Sequence, residues 1–509
     1  MKHIKLFLPS FSFLMCLFLC LFSFFVDADR KEQPIVVITP SYHNAPFYKR
    51  NLDSIFNQNY SNYRVIYIAD GDFLPDSDGT GTLVERYVKE KGQEHRFTLI
   101  RNKDRHFALN NTYRAILNCR DDEIFIVLDG DDALNNPNVL SRVNAMYNQS
   151  DKEVWYTYGD FRAIHNTMTS WTSAIPESAL AENKLREWQH SATHLRTCRA
   201  WLAKQIKIED FFYNGYFFTV TGDVALFEPI MEMANRRYHM TREVLYDYND
   251  VHALCDHIVA KQKQMDANAY IRQKERYQKL DRDMSGRIDK LKKEGALVAD
   301  VIVFSDNNAA RLGEFLRQLA QVENLKTVSV IYKTPELCNE AYDNLIYQFP
   351  TCKFFKQADS AQNFKQQLVS IFGMSPSAYV IFARDENICD DTIDVETGLY
   401  WLELTHVHAF YFNLTKPFFD TLSAKTNRKP AQLNLTGING HDIFAWQYSL
   451  VLAPFTELLN MTLLRKTDLL SLVALQAVDG YQALERAWQQ SLNENQVGLF
   501  CRIAEQVNT

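Results

Sequence analysis

The sequence predicts an α/β fold on a mostly parallel sheet, laid out twice along the chain. Three observations predict it. Short β-branched runs alternate with helical spacing from about residue 34 onward, the βαβα order of a parallel sheet. The first runs end in Thr39, Asp70 and Asp129, and ligands of such sheets bind beyond the carboxyl ends of the strands. A second alternating region begins at Ala299, after a highly charged stretch.

Before the first strand, Lys2, His3 and Lys5 precede an apolar run from Leu6 to Val26, about one bilayer crossing in length. Residues 1–30 therefore read as a membrane anchor or as a cleaved signal peptide, with Val26-Asp27-Ala28 as a loose cleavage site. The anchor implies a membrane-associated protein with its folded part facing the cytosol. The signal implies a secreted or luminal one.

A domain over residues 31–265 follows. Ile35 to Thr39 is a strand closed by Pro40. Tyr48 to Asn57 has helical spacing, with Leu52, Ile55 and Phe56 on one face. Arg64 to Ala69 is a second strand, ended by Asp70-Gly71-Asp72. Leu83 to Lys91 is a helix, Phe97 to Ile100 a strand, and Phe107 to Cys119 another helix. Ile124 to Leu128 is the next strand, and Asp129-Gly130-Asp131-Asp132 follows it directly. Residues 266–297 read as a helical linker, because Tyr277, Leu280, Met284, Ile288 and Leu291 recur at three- and four-residue spacing. Residues 298–509 form the second domain, with strands at Val301–Ser305, Thr327–Ile331 and Tyr379–Phe382 and a helix from Arg311 to Ala320.

Bulk properties narrow the function. A chain of 509 residues is too long for one ordinary core. A formal net charge of -7 argues against a general nucleic-acid binder. The cysteines are widely spaced, with no CxxC pair, and form neither a disulfide framework nor a zinc site. The acidic cluster is the chemical signal. Three carboxylates at the tip of a buried strand repel one another unless something positive binds there. Oxygen ligands suit Mg²⁺ or Mn²⁺ carrying a diphosphate. The plain alternative is a turn, for which Asp-Gly-Asp-Asp is good chemistry.

Several segments together resemble the family 2 glycosyltransferases, with the GT-A nucleotide-sugar fold. They are Ile38-Thr39-Pro40-Ser41-Tyr42-His43-Asn44, Leu52 to Tyr60, Ile68-Ala69-Asp70-Gly71-Asp72 and Leu128-Asp129-Gly130-Asp131-Asp132. The last fits a metal-binding DxD pattern. Ala69 stands where the family usually has the first of two aspartates. The resemblance covers about residues 34 to 260. It implies donor binding by Thr39, Tyr42, Asp70, Asp129 and Asp131, with Asp70 at the base and a Mn²⁺ or Mg²⁺ ion held by Asp131 and Asp132. Phe217 to Leu226 looks like the segment that carries the general base of an inverting enzyme, which makes Asp223 the candidate; a helix cap is the bland reading. His194 and Arg196 fall where such enzymes position the acceptor or a phosphate, and Arg199 is a further candidate for the diphosphate.

The expected activity is metal-dependent, inverting transfer of a sugar from a UDP- or GDP-linked donor to a hydroxyl on a glycan, lipid or protein. The competing readings are a nucleotidyltransferase, which lacks its Gly-rich loop here, and a carbohydrate-binding scaffold of two inactive transferase folds. In the second domain Arg384-Asp385-Glu386-Asn387 sits where a DxD would sit, without its spacing, so that domain reads as degenerate. The aromatic strand Trp155 to Tyr158, Tyr400-Trp401 and His441 to Trp446 read as core.

Overall fold

The structure is a computed structural model. It describes residues 32–503, apart from 150, 166, 189–191, 253–259, 359, 388–393, 413–430, 434–440, 449–457, 477 and 494. The signal or anchor expected over residues 1–30 lies outside these residues. Among the described residues, no helix is long and apolar enough to cross a membrane.

The first sheet contains β1 (Ile35–Ser41), β2 (Tyr63–Ala69), β3 (Phe97–Arg101), β4 (Ile124–Val127), β5 (Ala133–Leu134), β6 (Tyr156–Ala163), β7 (Thr197–Arg199) and β10 (Tyr238–Tyr248). A small hairpin, β8 (Phe212–Tyr213) and β9 (Tyr216–Phe217), stands apart. The order is β3-β2-β1-β4-β7-β6-β10-β5. The first four strands are parallel, and β1, β2 and β4 are almost wholly buried, as strands of such a sheet are. The strand β7 then inserts antiparallel between β4 and β6.

Pro40 lies inside β1, which continues to Ser41 instead of ending there. Its carbonyl accepts from Gly130 N. Its missing N–H falls on that same side, where β4 has already ended at Val127, so the ladder loses nothing.

The second sheet holds β11 (Ala299–Asp306), β12 (Leu325–Lys333), β13 (Lys353–Lys356), β14 (Tyr379–Arg384), β15 (Ala409–Tyr411), β16 (Ala431–Gln432), β17 (His441–Gln447), β18 (Thr462–Arg465) and β19 (Val497–Ile503). Its order is β13-β12-β11-β14-β18-β15-β19-β17-β16. Seven strands correspond in order with the first sheet, and beyond them the second sheet has β17 and β16 where the first has β5: β18 is antiparallel to both β14 and β15, and β15 is parallel to β19. The same relations join β7 to β4 and β6, and β6 to β10. The second domain thus repeats the layout of the first.

The connecting stretch departs from the single amphipathic helix that its spacing predicts. It is two helices, Lys261–Gln273 and Arg287–Lys293, separated by non-helical chain. Specific contacts hold the intervening chain out of a helix. Tyr277 N donates to Glu232 Oε2 at 3.0 Å, Tyr277 OH to Asp210 Oδ2 at 2.5 Å, and Leu280 N to the Met233 carbonyl at 2.9 Å. Gly286, at φ 67°, then restarts the chain as a helix. The five spaced apolar residues still pack on the core; the spacing reported burial, not helix. One apolar cluster runs through both domains, joining Phe211 and Phe217 with Trp401, Ile443 and Leu499, and Gln447 Oε1 of β17 accepts from Gly215 N at 2.7 Å.

Candidate active site

A cavity of about 320 Å³ opens at the carboxyl edge of the first sheet. Asp129, Asp131, Asp132, His194, Arg196 and Asp223 all line it, together with Thr112, Tyr248, His252 and Gln264. Six side chains singled out in the sequence, spread over some ninety residues, therefore meet in one place.

The acidic turn is fixed from beneath. Asn51 Nδ2 donates to the carbonyls of Asp129 and Asp132 at 2.9 and 3.0 Å. Gly130 is obligatory, because a Cβ there would lie 2.5 Å from Asn44 Nδ2 and 2.7 Å from Ser41 Oγ. Asp132 is 1% exposed. It accepts from Tyr246 OH at 2.5 Å and from Asn249 N at 2.6 Å. Burial, and then the charges of Asp131 and Asp129, hold its carboxyl well above the usual carboxylate range. Asp131 Oδ2 lies 3.0 Å from His252 Nδ1, and the His252 ring meets Phe47 edge-on.

The helix Gly222–Ala234, which also lines the cavity, carries Asp223 in its first turn. Gly222 lets that turn approach the helix Phe107–Leu117, since a Cβ would stand 2.9 Å from Leu109 Cβ. A fully buried bidentate pair, Arg186 with Glu232 at 2.7 and 2.9 Å, ties the helix down further along. Thr221, not Asp223, occupies the cap position. Asp223 instead receives Arg196 NH2 at 2.9 Å; the arginine side chain is 7% exposed and the aspartate 44%. The Arg196 Nε donates to the Ala192 carbonyl, which fixes the guanidinium against the carboxylate. His194 stacks on Tyr246 at 4.5 Å and on Tyr248 at 5.8 Å.

Thr39, Tyr42 and Asp70 form a second wing at the tips of β1 and β2, outside the cavity lining. Tyr42 stacks on His43 at 4.0 Å, and the Arg105 guanidinium covers its ring at 3.8 Å. Thr39 Oγ1, His43 Nε2 and Asn44 Oδ1 are buried without hydrogen-bond partners, a pattern that a polar ligand relieves. Asp70 accepts from the backbone N–H groups of His106 and Phe107 and from Asn102 Nδ2, so its carboxylate pins the chain entering the helix Phe107–Leu117. Arg199 points elsewhere, to the Val154 carbonyl and the Tyr147 ring. Trp155, Tyr156 and Tyr158 are buried.

Local sequence gives no sign of His252, Tyr248 or Gln264 in this site. Among the described residues no three His, Cys, Asp or Glu side chains gather closely enough to hold a metal unaided. In the second domain the matching strand end is closed: Ser305 Oγ donates to Asp385 Oδ2 at 2.6 Å.

Residues 36–211 match the family model described as Glycosyl transferase family 2. No curated protein matches the chain. Among solved structures, S. aureus TarS aligns at 16% identity and a TM-score of 0.31, over 42% of this chain and 36% of that one. TarS 1-349 in complex with UDP-GlcNAc aligns at 12% identity and a TM-score of 0.35, over 47% and 65%. The same fragment with UDP gives 14%, 0.32, 47% and 65%. The chain thus spans less than two thirds of the length of these relatives.

Proposed function

We propose that this chain, whose residues 36–211 match the family 2 glycosyltransferase model, transfers a sugar from a UDP- or GDP-linked donor to an acceptor hydroxyl with inversion. One observation carries the reading: the acidic turn and Asp223 line one cavity. Charge stabilisation for a diphosphate and a base for a hydroxyl are the two requirements of this reaction.

The side chains present fit a divalent cation. Mg²⁺ and Mn²⁺ need only one or two protein carboxylates when phosphate supplies other ligands, and burial first, then the neighbouring charges of Asp131 and Asp129, raise the Asp132 carboxyl, a penalty that a cation would relieve. Asp131 and Asp132 would hold it, with the His252 ring beside Asp131. Bound there, the ion would neutralise charge on the departing diphosphate. Tyr42, Arg105 and the unpartnered polar atoms of Thr39 and Asn44 form the nucleoside side, and Asp70 anchors the loop that carries Arg105.

Asp223 receives the acceptor proton. Its carboxylate stands half-exposed in the first turn of the helix, with Arg196 NH2 donating to it at 2.9 Å. The acceptor oxygen then bonds to the anomeric carbon as the bond from that carbon to the diphosphate oxygen breaks. Attack from the side opposite the leaving group inverts the centre. A panel of UDP- and GDP-sugars, assayed for nucleotide release with Mn²⁺ present and absent, tests the reading. Release from at least one donor is expected; none from any donor refutes it.

A further inference from the structure

We propose that Trp171 is a stacking platform for a sugar ring of the acceptor, which makes the acceptor a carbohydrate chain and not a lipid or a protein side chain. The inference rests on the glycosyltransferase reading. The chain has seven tryptophans. Trp155, Trp201, Trp401, Trp446 and Trp488 are exposed by at most 2% and Trp188 is partly buried against the core, whereas Trp171 is 52% exposed. A single exposed apolar side chain needs no explanation by itself. This one is held rigidly and at the right place.

Its neighbours on both sides are clamped. Ser170 Oγ donates to Asp160 Oδ1 at 2.7 Å, and Thr172 Oγ1 to the Gly159 carbonyl at 2.7 Å. Both hydroxyls also meet Thr193 Oγ1, the residue directly before His194. The indole stands edge-on to Phe161 at 5.3 Å, and Phe161 touches Tyr248 at 5.5 Å and His194 at 6.0 Å. Tyr248 and His194 line the cavity that holds Asp223. The buried Phe161 ring therefore links the exposed indole to two aromatic residues of the cavity lining.

The surroundings name the occupant. Asp160 and Arg242 flank the loop: Arg242 NH1 donates to the Thr172 carbonyl at 2.6 Å and lies 3.6 Å from Asp160 Oδ2. The arginine side chain is 61% exposed. An exposed ring beside a carboxylate and a guanidinium matches a pyranose, which offers a C–H face to the ring and hydroxyls to the charges. An acyl chain would want contiguous apolar surface instead.

The test uses the full-length protein with UDP and Mn²⁺. Acrylamide quenching of tryptophan fluorescence is measured with tetrasaccharides of glucose, mannose, galactose and N-acetylglucosamine, and with phosphatidylglycerol vesicles; Trp171→Phe assigns the quenchable signal. At least one tetrasaccharide is expected to shield Trp171. Trp171→Ala should raise the KM for that saccharide about tenfold, and Trp171→Phe much less. The platform is overturned if no tetrasaccharide shields the indole, if vesicles alone do, or if the alanine variant's acceptor KM moves less than about twofold. A wild type that turns over no nucleotide-sugar sinks the transferase reading; an active wild type with an unshielded Trp171 sinks only the platform.

Discussion

Replacing Asp132 by Asn should stabilise the free protein while removing its activity. The carboxylate is buried at 1% exposure beside Asp131 and Asp129, and burial first and those charges second hold its pKa well above the ordinary range. A carboxyl raised in the folded state contributes stability that is full below its unfolded pKa, about 3.9, and is lost as pH rises through the folded value. Above the unfolded pKa the native protein therefore loses stability to this buried carboxyl. An asparagine fits the same two partners: its oxygen can accept from Asn249 N and its nitrogen can donate to the Tyr246 hydroxyl. Relief of about 1 kcal/mol, typical of neutralising a strained functional site, corresponds to roughly 2–4 °C in Tm. Turnover should fall about 10²- to 10³-fold. Thermal melts at pH 7.5 and pH 4, with UDP and with or without Mn²⁺, read all of this. The variant should gain at pH 7.5, gain nothing at pH 4, and lose the added stability that Mn²⁺ with UDP gives the wild type. Equal destabilisation at both pH values would show that Asp132 is only a structural acceptor.

Three further outcomes are expected. Asp223→Asn should lower kcat about 10²- to 10⁴-fold while UDP affinity holds, which separates a base from a binding residue; steady-state kinetics beside UDP titration decides it. Gly130→Ala forces a Cβ to within 2.5 Å of Asn44 Nδ2, so it should cost about 1–3 kcal/mol and weaken UDP binding, read by denaturant melts and calorimetry. Glu209 has a buried Oε2 without a partner, and burial pushes its carboxyl from 4.5 up to about 7. Its raised pKa means stability is lost as pH climbs from about 4 through 7. Glu209→Gln should therefore flatten that slope and be more stable at pH 8 by up to roughly 3 kcal/mol; urea melts across pH 4–8 check this.

The parts of the site legible in the sequence are those tied to local structure. Asp129, Asp131 and Asp132 follow a buried strand directly, and Asp223 begins an apolar helix, so chain order alone brings them to the sheet edge. His252, Tyr248 and Gln264 arrive through β10 and the helix behind it, and no local pattern marks such long-range arrivals. Asp70 shows the opposite limit. Its place at the tip of β2 is readable, but its engagement with the N–H groups of residues 106 and 107 depends on a loop that periodicity does not describe. The stretch around Tyr277 and Leu280 has helical spacing, yet hydrogen bonds to Glu232, Asp210 and Met233 hold it non-helical. The echo between the halves was visible in their strands and helices. The insertion of β7 and β18 as antiparallel strands was not, because pairing partners leave no trace in a short apolar run.

Calorimetric titration of the wild-type protein with UDP, in Mn²⁺ and again in EDTA, bears most directly on the claim that the acidic turn joins a cation to a pyrophosphate. Binding in Mn²⁺ that EDTA weakens at least about tenfold, and that Asp131→Asn weakens equally, is the expected result. UDP affinity that is the same in Mn²⁺, in EDTA and in that variant would contradict it.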